Sequence, residues 1–116
     1  MKLILAYISK DHFPRVYDEL LSIHIHGLSV SEVEGFGQEH DTENPDFQEF
    51  VGIEMTKKIR LEIFCHDHES DKILESIYKA AHTGLSGNGK VFVIPVEDAL
   101  RLKTGERGDL AISPKK

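Results

Sequence analysis

Two hydrophobic periods alternate along this chain, and their order limits the folds open to it. Residues 2 to 8 form a run rich in Leu and Ile that is apolar on both faces, which suits a central strand. Ser9-Lys10-Asp11-His12-Phe13-Pro14 follows, with capping candidates and an early proline that suit a helix start. Phe13, Val16, Tyr17, Leu20 and Leu21 then recur at helical spacing, which gives a helix with one packing face. Gly27 ends that helix or its following turn, and Leu28 to Phe36 reads as a second strand. Ile59-Arg60-Leu61-Glu62-Ile63 alternates strictly, as a third strand with one buried face does. Ser70 or Asp71 can cap a second helix whose apolar stripe is Ile73, Leu74, Ile77, Ala80 and Ala81. Val91 to Val96 is a fourth strand, and Pro95 marks an edge or a termination. Glu97 to Leu100 allows one helical turn, Arg101 to Thr104 a short last strand, and the polar tail from Gly105 reads as mobile.

Strand, helix, strand, strand, helix, strand is the split ferredoxin-like βαββαβ pattern, an α+β fold with two helices on one face of an antiparallel sheet. The architecture carries many activities, so it does not by itself give function. A chain of 116 residues fits one domain, taken here as 1–112 with a flexible tail over 113–116. The period breaks between Gln38 and Lys57. A long loop there, between the second and third strands, is the kind that carries function. The alternatives are a disordered insertion or a hairpin extension of the flanking strands.

Charge and cysteine content remove several function classes. The 20 acidic residues outnumber 14 basic ones and leave a net charge of −6, which argues against binding a nucleic-acid backbone. The stacking aromatics of an RNA-recognition segment are also missing. The single cysteine, Cys65, cannot make an internal disulfide or a Cys-rich zinc site, so nothing points to an oxidising compartment. The N-terminal apolar run is too short for a signal peptide and meets Lys10 and Asp11 with no cleavage site, which fits a cytoplasmic protein.

The sharpest local signal is Thr83-Gly84-Leu85-Ser86-Gly87-Asn88-Gly89-Lys90. It resembles a Walker A loop, but Val91 stands where the magnesium-binding Ser or Thr belongs, and the segment leads from helix into strand, the reverse of a Walker loop. Its glycines still let backbone N–H groups approach an anion, and Lys90 adds a charge. A helix cap followed by a tight turn explains the same residues. Arg101 and Lys103 alternate on the last strand and project from one face, as cations for a ligand or as a solvated edge. His24-Ile25-His26 and His66-Asp67-His68 are two His-x-His pairs that suit zinc or copper, or exposed turns. No catalytic triad, Cys–His pair or paired carboxylates stand out, so the chain does not read as an enzyme.

Gly35-Phe36-Gly37, the long loop, Lys58-Ile59-Arg60-Leu61-Glu62-Ile63, the segment Gly87-Asn88-Gly89-Lys90-Val91-Phe92-Val93 and Arg101-Leu102-Lys103-Thr104-Gly105-Glu106 together resemble the PII signal-transduction (nitrogen regulatory) family over nearly the whole chain. The resemblance implies a homotrimer that binds ATP or ADP, with magnesium accompanying ATP, in clefts between subunits. It implies that Ser29, Glu62 and the Phe64 backbone face adenine. Gly35, Phe36, Gly37 and Gln38 would line the cleft, and Gly87, Asn88, Gly89, Lys90, Arg101 and Lys103 would hold phosphates. The loop over 38–57 would contact a membrane transporter or a metabolic enzyme, drawing a cytoplasmic protein to the membrane in the first case. The chain departs from the family in that loop. Val51 stands where many bacterial members carry a uridylylated Tyr, and Glu39 replaces the Gln that helps hold magnesium and 2-oxoglutarate. Glu39 and Lys58 are thus the candidate effector residues, with 2-oxoglutarate expected to bind weakly and bicarbonate among the other effectors. A metal-binding or metal-tolerance protein on the same trimeric fold is the alternative reading, through the His pairs.

Overall fold

In the computed structural model of the protein, residues 1–36, 47–50, 53–82 and 89–113 are described. The centre of the fold is the antiparallel pairing of β1 (Lys2–Ile8) with β4 (Ile53–Cys65), in register from Lys2↔Cys65 to Ile8↔Ile59. This register puts Ile4 opposite Ile63, Ala6 opposite Leu61 and Ile8 opposite Ile59, all buried on one face. β2 (Ser29–Gly35) joins the far edge of β4, and β5 (Gly89–Pro95) joins the far edge of β1, giving the order β2-β4-β1-β5. β1 is central, as its two-sided apolar run requires, and β5 is an edge strand that stops at Pro95.

Two helices cover the buried face. α1 (Phe13–Ser22) begins with Pro14 in its first turn, after a short 3-10 turn over Lys10–His12 that Ser9 caps by accepting from the Asp11 N–H at 3.3 Å. α1 sends Val16 and Leu20 into the core, and α2 (Ser70–Ala81) sends Ile73, Ile77, Ala80 and Ala81. Each large apolar side chain fully removed from water there contributes about 1.5–3 kcal/mol. The core face of α1 is narrower than the sequence pattern indicates. Tyr17 and Leu21 are exposed, because the packed stripe runs through Phe13, Val16, Leu20 and Ile23 instead.

Four further expectations are corrected. The third strand does not start at Ile59 but at Ile53, and β3 (Phe47–Phe50) pairs with its first residues from Phe47↔Thr56 to Phe50↔Ile53. Part of the 38–57 segment is therefore the hairpin extension, in which a ladder supplies the backbone partners that an open loop leaves to water. Glu97–Leu100 is not helical, because the Asp98 carboxylate takes the Ala99 and Gly108 N–H groups at 2.8 and 3.1 Å. Arg101–Thr104 is a turn and not a strand: the Arg101 carbonyl accepts from Gly105 at 2.7 Å, and Leu100 makes only an isolated bridge to Arg107. The chain beyond Gly105 is not merely a tail either. It forms α3 (Asp109–Ile112), held to the body by Arg101, which donates to the carbonyls of Leu110 and Ser113.

Neither α1 nor α2 covers the other face of the sheet. Phe64, Leu3 and Ile94 share one row across it, and Glu62, Leu5 and Phe92 the next. Phe64, Phe92 and Ile94 are each about two-fifths to one-half exposed. Tyr7 meets Phe92 edge-on at 6.4 Å. A contiguous apolar strip of this kind on a small domain marks an association surface.

Gly89 lies hard against β1. Its φ is +105°, and a Cβ there would lie 1.8 Å from the Tyr7 carbonyl oxygen. Gly105 also has a positive φ, of +78°, but open space around it. Gly105→Ala should therefore cost only backbone strain, about 1–2 kcal/mol. Gly89→Ala should cost more, since β5 must also shift away from β1. Thermal unfolding of both variants checks this, and equal losses would show that the close approach to Tyr7 is not retained in solution.

Candidate functional site

β4 carries candidate residues at both of its ends. Near its C-terminal end, Ser29 and Glu62 are direct partners across the β2–β4 ladder, with Phe64 two residues on. Together with His26 and Ile112 they line a pocket of about 350 Å³. Glu62 is held by Arg60 at 3.3 Å and remains one-third exposed, so its carboxylate can accept a hydrogen bond from a ligand. Ile112 belongs to α3, and Arg101 fastens α3 through the Leu110 and Ser113 carbonyls. Arg101 thus stands next to this pocket, but its guanidinium is engaged with backbone. Lys103 lies in the turn that follows.

The remaining candidates gather at the opposite end of the sheet. Gly35 closes β2 opposite Thr56, Lys58 pairs with Val33, and Gly89 and Lys90 open β5 opposite Ile8 and Tyr7. Phe36 follows, 75% exposed. From Lys58 to Phe64 along β4 is about 20 Å at the rise of a strand. A protomer therefore offers two separate groups of candidate residues, and the sheet holds them apart. Gly37, Gln38, Glu39, Gly87 and Asn88 lie outside the described residues, as does most of the glycine turn. A nearby hollow lined by Glu32, Glu34, Met55 and Lys57 carries two carboxylates against one cation and does not suit an anion.

Electrostatics reinforce the scaffold more than the candidate site. A hydrogen bond from Arg107, aided by the Ala99 N–H, holds the Asp98 carboxyl below its ordinary range. The N-terminal ammonium donates to Asp67 at 2.8 Å and lowers that carboxyl too. Burial pushes the Cys65 thiol up, which makes it an inert core group. The two His-x-His pairs meet through one member of each. His24 sits in a left-handed turn at φ 58°, while His26 and His66, one from each pair, meet edge-on at 5.7 Å. Sequence reasoning missed Ile112 and Asp109 as neighbours of these sites. They lie more than forty residues from Phe64 and His66, and no short spacing signals such a contact.

A profile of the family "Nitrogen regulatory protein P-II" matches residues 1–106. A nitrogen regulatory protein P-II of Azospirillum brasilense is 39% identical over 113 residues, covering 97% of this chain and all of that one. A P-II homolog of Arabidopsis thaliana is 40% identical over 98 residues, and the match spans 84% of this chain but only 50% of the plant protein. The crystal structure of Arabidopsis thaliana PII bound to citrate superposes with a TM-score of 0.75 at 32% identity, covering 95% of this chain and 90% of that one. With this fold, these partners across the sheet and these relatives, the chain belongs to the nitrogen regulatory protein P-II family of signal transducers.

Proposed function

We propose that the protein binds ATP or ADP in clefts between neighbouring copies of itself and reports the bound state to a partner through the segment 38–57. The observation that carries this reading is the division of the candidate residues between the two ends of β4. Ser29, Glu62 and Phe64 form a concave, part-apolar pocket suited to a purine base, with Glu62 as acceptor for its exocyclic amine. Lys90 and Lys58, some 13–20 Å away along the sheet, supply cations for phosphates. A neighbouring chain that brings its own cationic end to the base pocket completes a site that one protomer divides. The bare sheet face with Phe64, Phe92 and Ile94 gives such a neighbour an apolar surface to bury. A homotrimer, as is typical of the family, closes three such clefts by one rotation. Magnesium would accompany ATP, bridging its phosphate oxygens. The partner is a transporter or an enzyme of nitrogen or carbon metabolism. No helix among the described residues is long and apolar enough to cross a membrane, so a membrane target would be met by docking.

Light scattering should give a mass of about three chains. Calorimetry should show ATP and ADP competing for one site per chain, and Lys90→Ala should weaken both by tenfold or more, the loss of a charge-assisted phosphate contact worth about 1.5–3 kcal/mol. Equal affinity in the variant would reduce the Gly89–Lys90 corner to a structural turn.

For 2-oxoglutarate the expectation is weak binding or none. Glu39 sets a carboxylate beside a dianionic ligand, and at ~4 Å with an effective dielectric of 20 the repulsion is about 4 kcal/mol before relaxation. Lys58, on β4, offers an opposing attraction to the distal carboxylate. Titration of the magnesium–ATP form should show little heat with the unmodified protein and a gain in Glu39→Gln. Tight binding without the substitution would refute the assignment of Glu39.

A further inference from the structure

Three side chains from two distant parts of the sequence converge beside the base pocket. His26 precedes β2, His66 follows β4, and Glu69 enters α2. Each presents one ligand atom, and these atoms all lie within 4.8 Å of one another. We propose that His26, His66 and Glu69 form a binding site for a divalent transition-metal ion of the zinc type.

The donor set selects the class of ion. Two imidazoles and one carboxylate suit zinc, cobalt or copper and do not suit calcium or magnesium, which take oxygen ligands. Three protein ligands leave a fourth position for water or a ligand atom. Bonds of about 2.0–2.2 Å in a tetrahedron place ligand atoms roughly 3.3–3.6 Å apart. His26 Nε2 and Glu69 Oε2 are already 3.0 Å apart, so an ion can replace the proton between them with little movement. An isolated His–Glu hydrogen bond accounts for that contact alone. It does not account for the third donor or for the way its ring is held.

The ring of His66 is oriented by Asp109, whose Oδ1 lies 2.8 Å from Nδ1. The tautomer in which Nδ1–H donates to that carboxylate leaves the lone pair on Nε2. A carboxylate behind an imidazole is the usual support of a metal-bound histidine. The Ser113 hydroxyl, 3.2 Å from Nε2, also donates to the Asp109 carbonyl oxygen at 2.8 Å and keeps that bond if an ion takes its place at the ring. Glu69 is fixed in turn: its Oε1 accepts the His66 backbone N–H at 2.9 Å, which leaves Oε2 for the ion. His68 stacks flat on His66 at 5.7 Å. The side chains of His26, His66 and Glu69 are 26%, 16% and 24% exposed, accessible to an ion yet partly dry. His26 also lines the pocket with Ser29, Glu62 and Phe64, so an ion here would fix one wall of that pocket.

The inference is independent of nucleotide binding, and its test is run without nucleotide. The full chain is titrated with cobalt(II), read by visible absorption, and with zinc, read by calorimetry. One ion per chain is expected, with the intense absorption of four- or five-coordinate cobalt and its displacement by zinc. His26→Ala, His66→Ala and Glu69→Gln should each weaken zinc at least tenfold, while His82→Ala, outside the cluster, should not. The unmodified protein's cobalt spectrum is read first, so a variant that fails to fold leaves the test standing. Absence of stoichiometric binding, a weak six-coordinate spectrum, or affinity unchanged in folded His26→Ala and His66→Ala overturns the site.

Discussion

The pairing of β1 with β4 is the constraint from which the rest of the molecule follows. Each strand alternates between a face that meets the helices and a face that does not, and the register aligns the two inward sets residue for residue. A slip by one position would turn Ile4, Ala6 and Ile8 outward together, so the buried core enforces the register as strongly as the hydrogen bonds do. Both outer strands then take their places from this pair. β2 is set by Ser29↔Glu62 and β5 by Ile8↔Gly89, and each of these contacts involves a residue of the candidate site. Folding and site geometry are therefore not separable here: the ladder that excludes water from Leu61 also sets Glu62 beside Ser29.

The same alternation divides the labour of β4. Ile59, Leu61, Ile63 and Cys65 stabilise the fold, while Arg60, Glu62 and Phe64 are presented on the bare face. The candidate residues of β4 sit on a rigid strand and not on a loop, which fixes their side chains in place. The apolar strip on that face is unfavourable for an isolated protomer and becomes favourable on association. One surface thus serves both solubility of the partly assembled chain, through Glu62, Arg60 and Lys90, and the drive to assemble, through Phe64, Phe92 and Ile94.

The sequence discloses those parts that depend on local period. The strict alternation of Ile59 to Ile63, the two-sided run of β1 and the stripe from Ile73 to Ala81 all correspond to the observed elements, because burial on one face leaves a repeating mark. The extension of β4 back to Ile53 and the short β3 were less legible. Phe47, Phe50, Val51, Ile53 and Met55 occur there, but among Gln48, Glu49, Glu54 and the residues from Thr56 to Lys58 they sustain no single period. The region after Val96 was misjudged for another reason. Asp98, Arg101 and Asp109 organise it through side-chain bonds to distant backbone and to His66, and such bonds follow no period. Of the site, Ser29, Glu62 and Phe64 could be grouped only through family resemblance. Their proximity arises from the ladder and not from spacing along the chain.

Thr56 has a strand on each side, pairing with Gly35 on one edge and Phe47 on the other. The two points where the chain leaves and re-enters the sheet are thus pinned about 10 Å apart, two strand spacings, by one residue of β4. The chain between Gly35 and Phe47 is joined to the sheet at these two fixed points. Doubling the length of a segment closed in this way costs only about 0.6 kcal/mol. Descendants of this chain can rewrite or lengthen the stretch while the sheet beneath keeps its register. The anchor at Thr56 makes that segment an interchangeable part, which can change without renegotiating the fold.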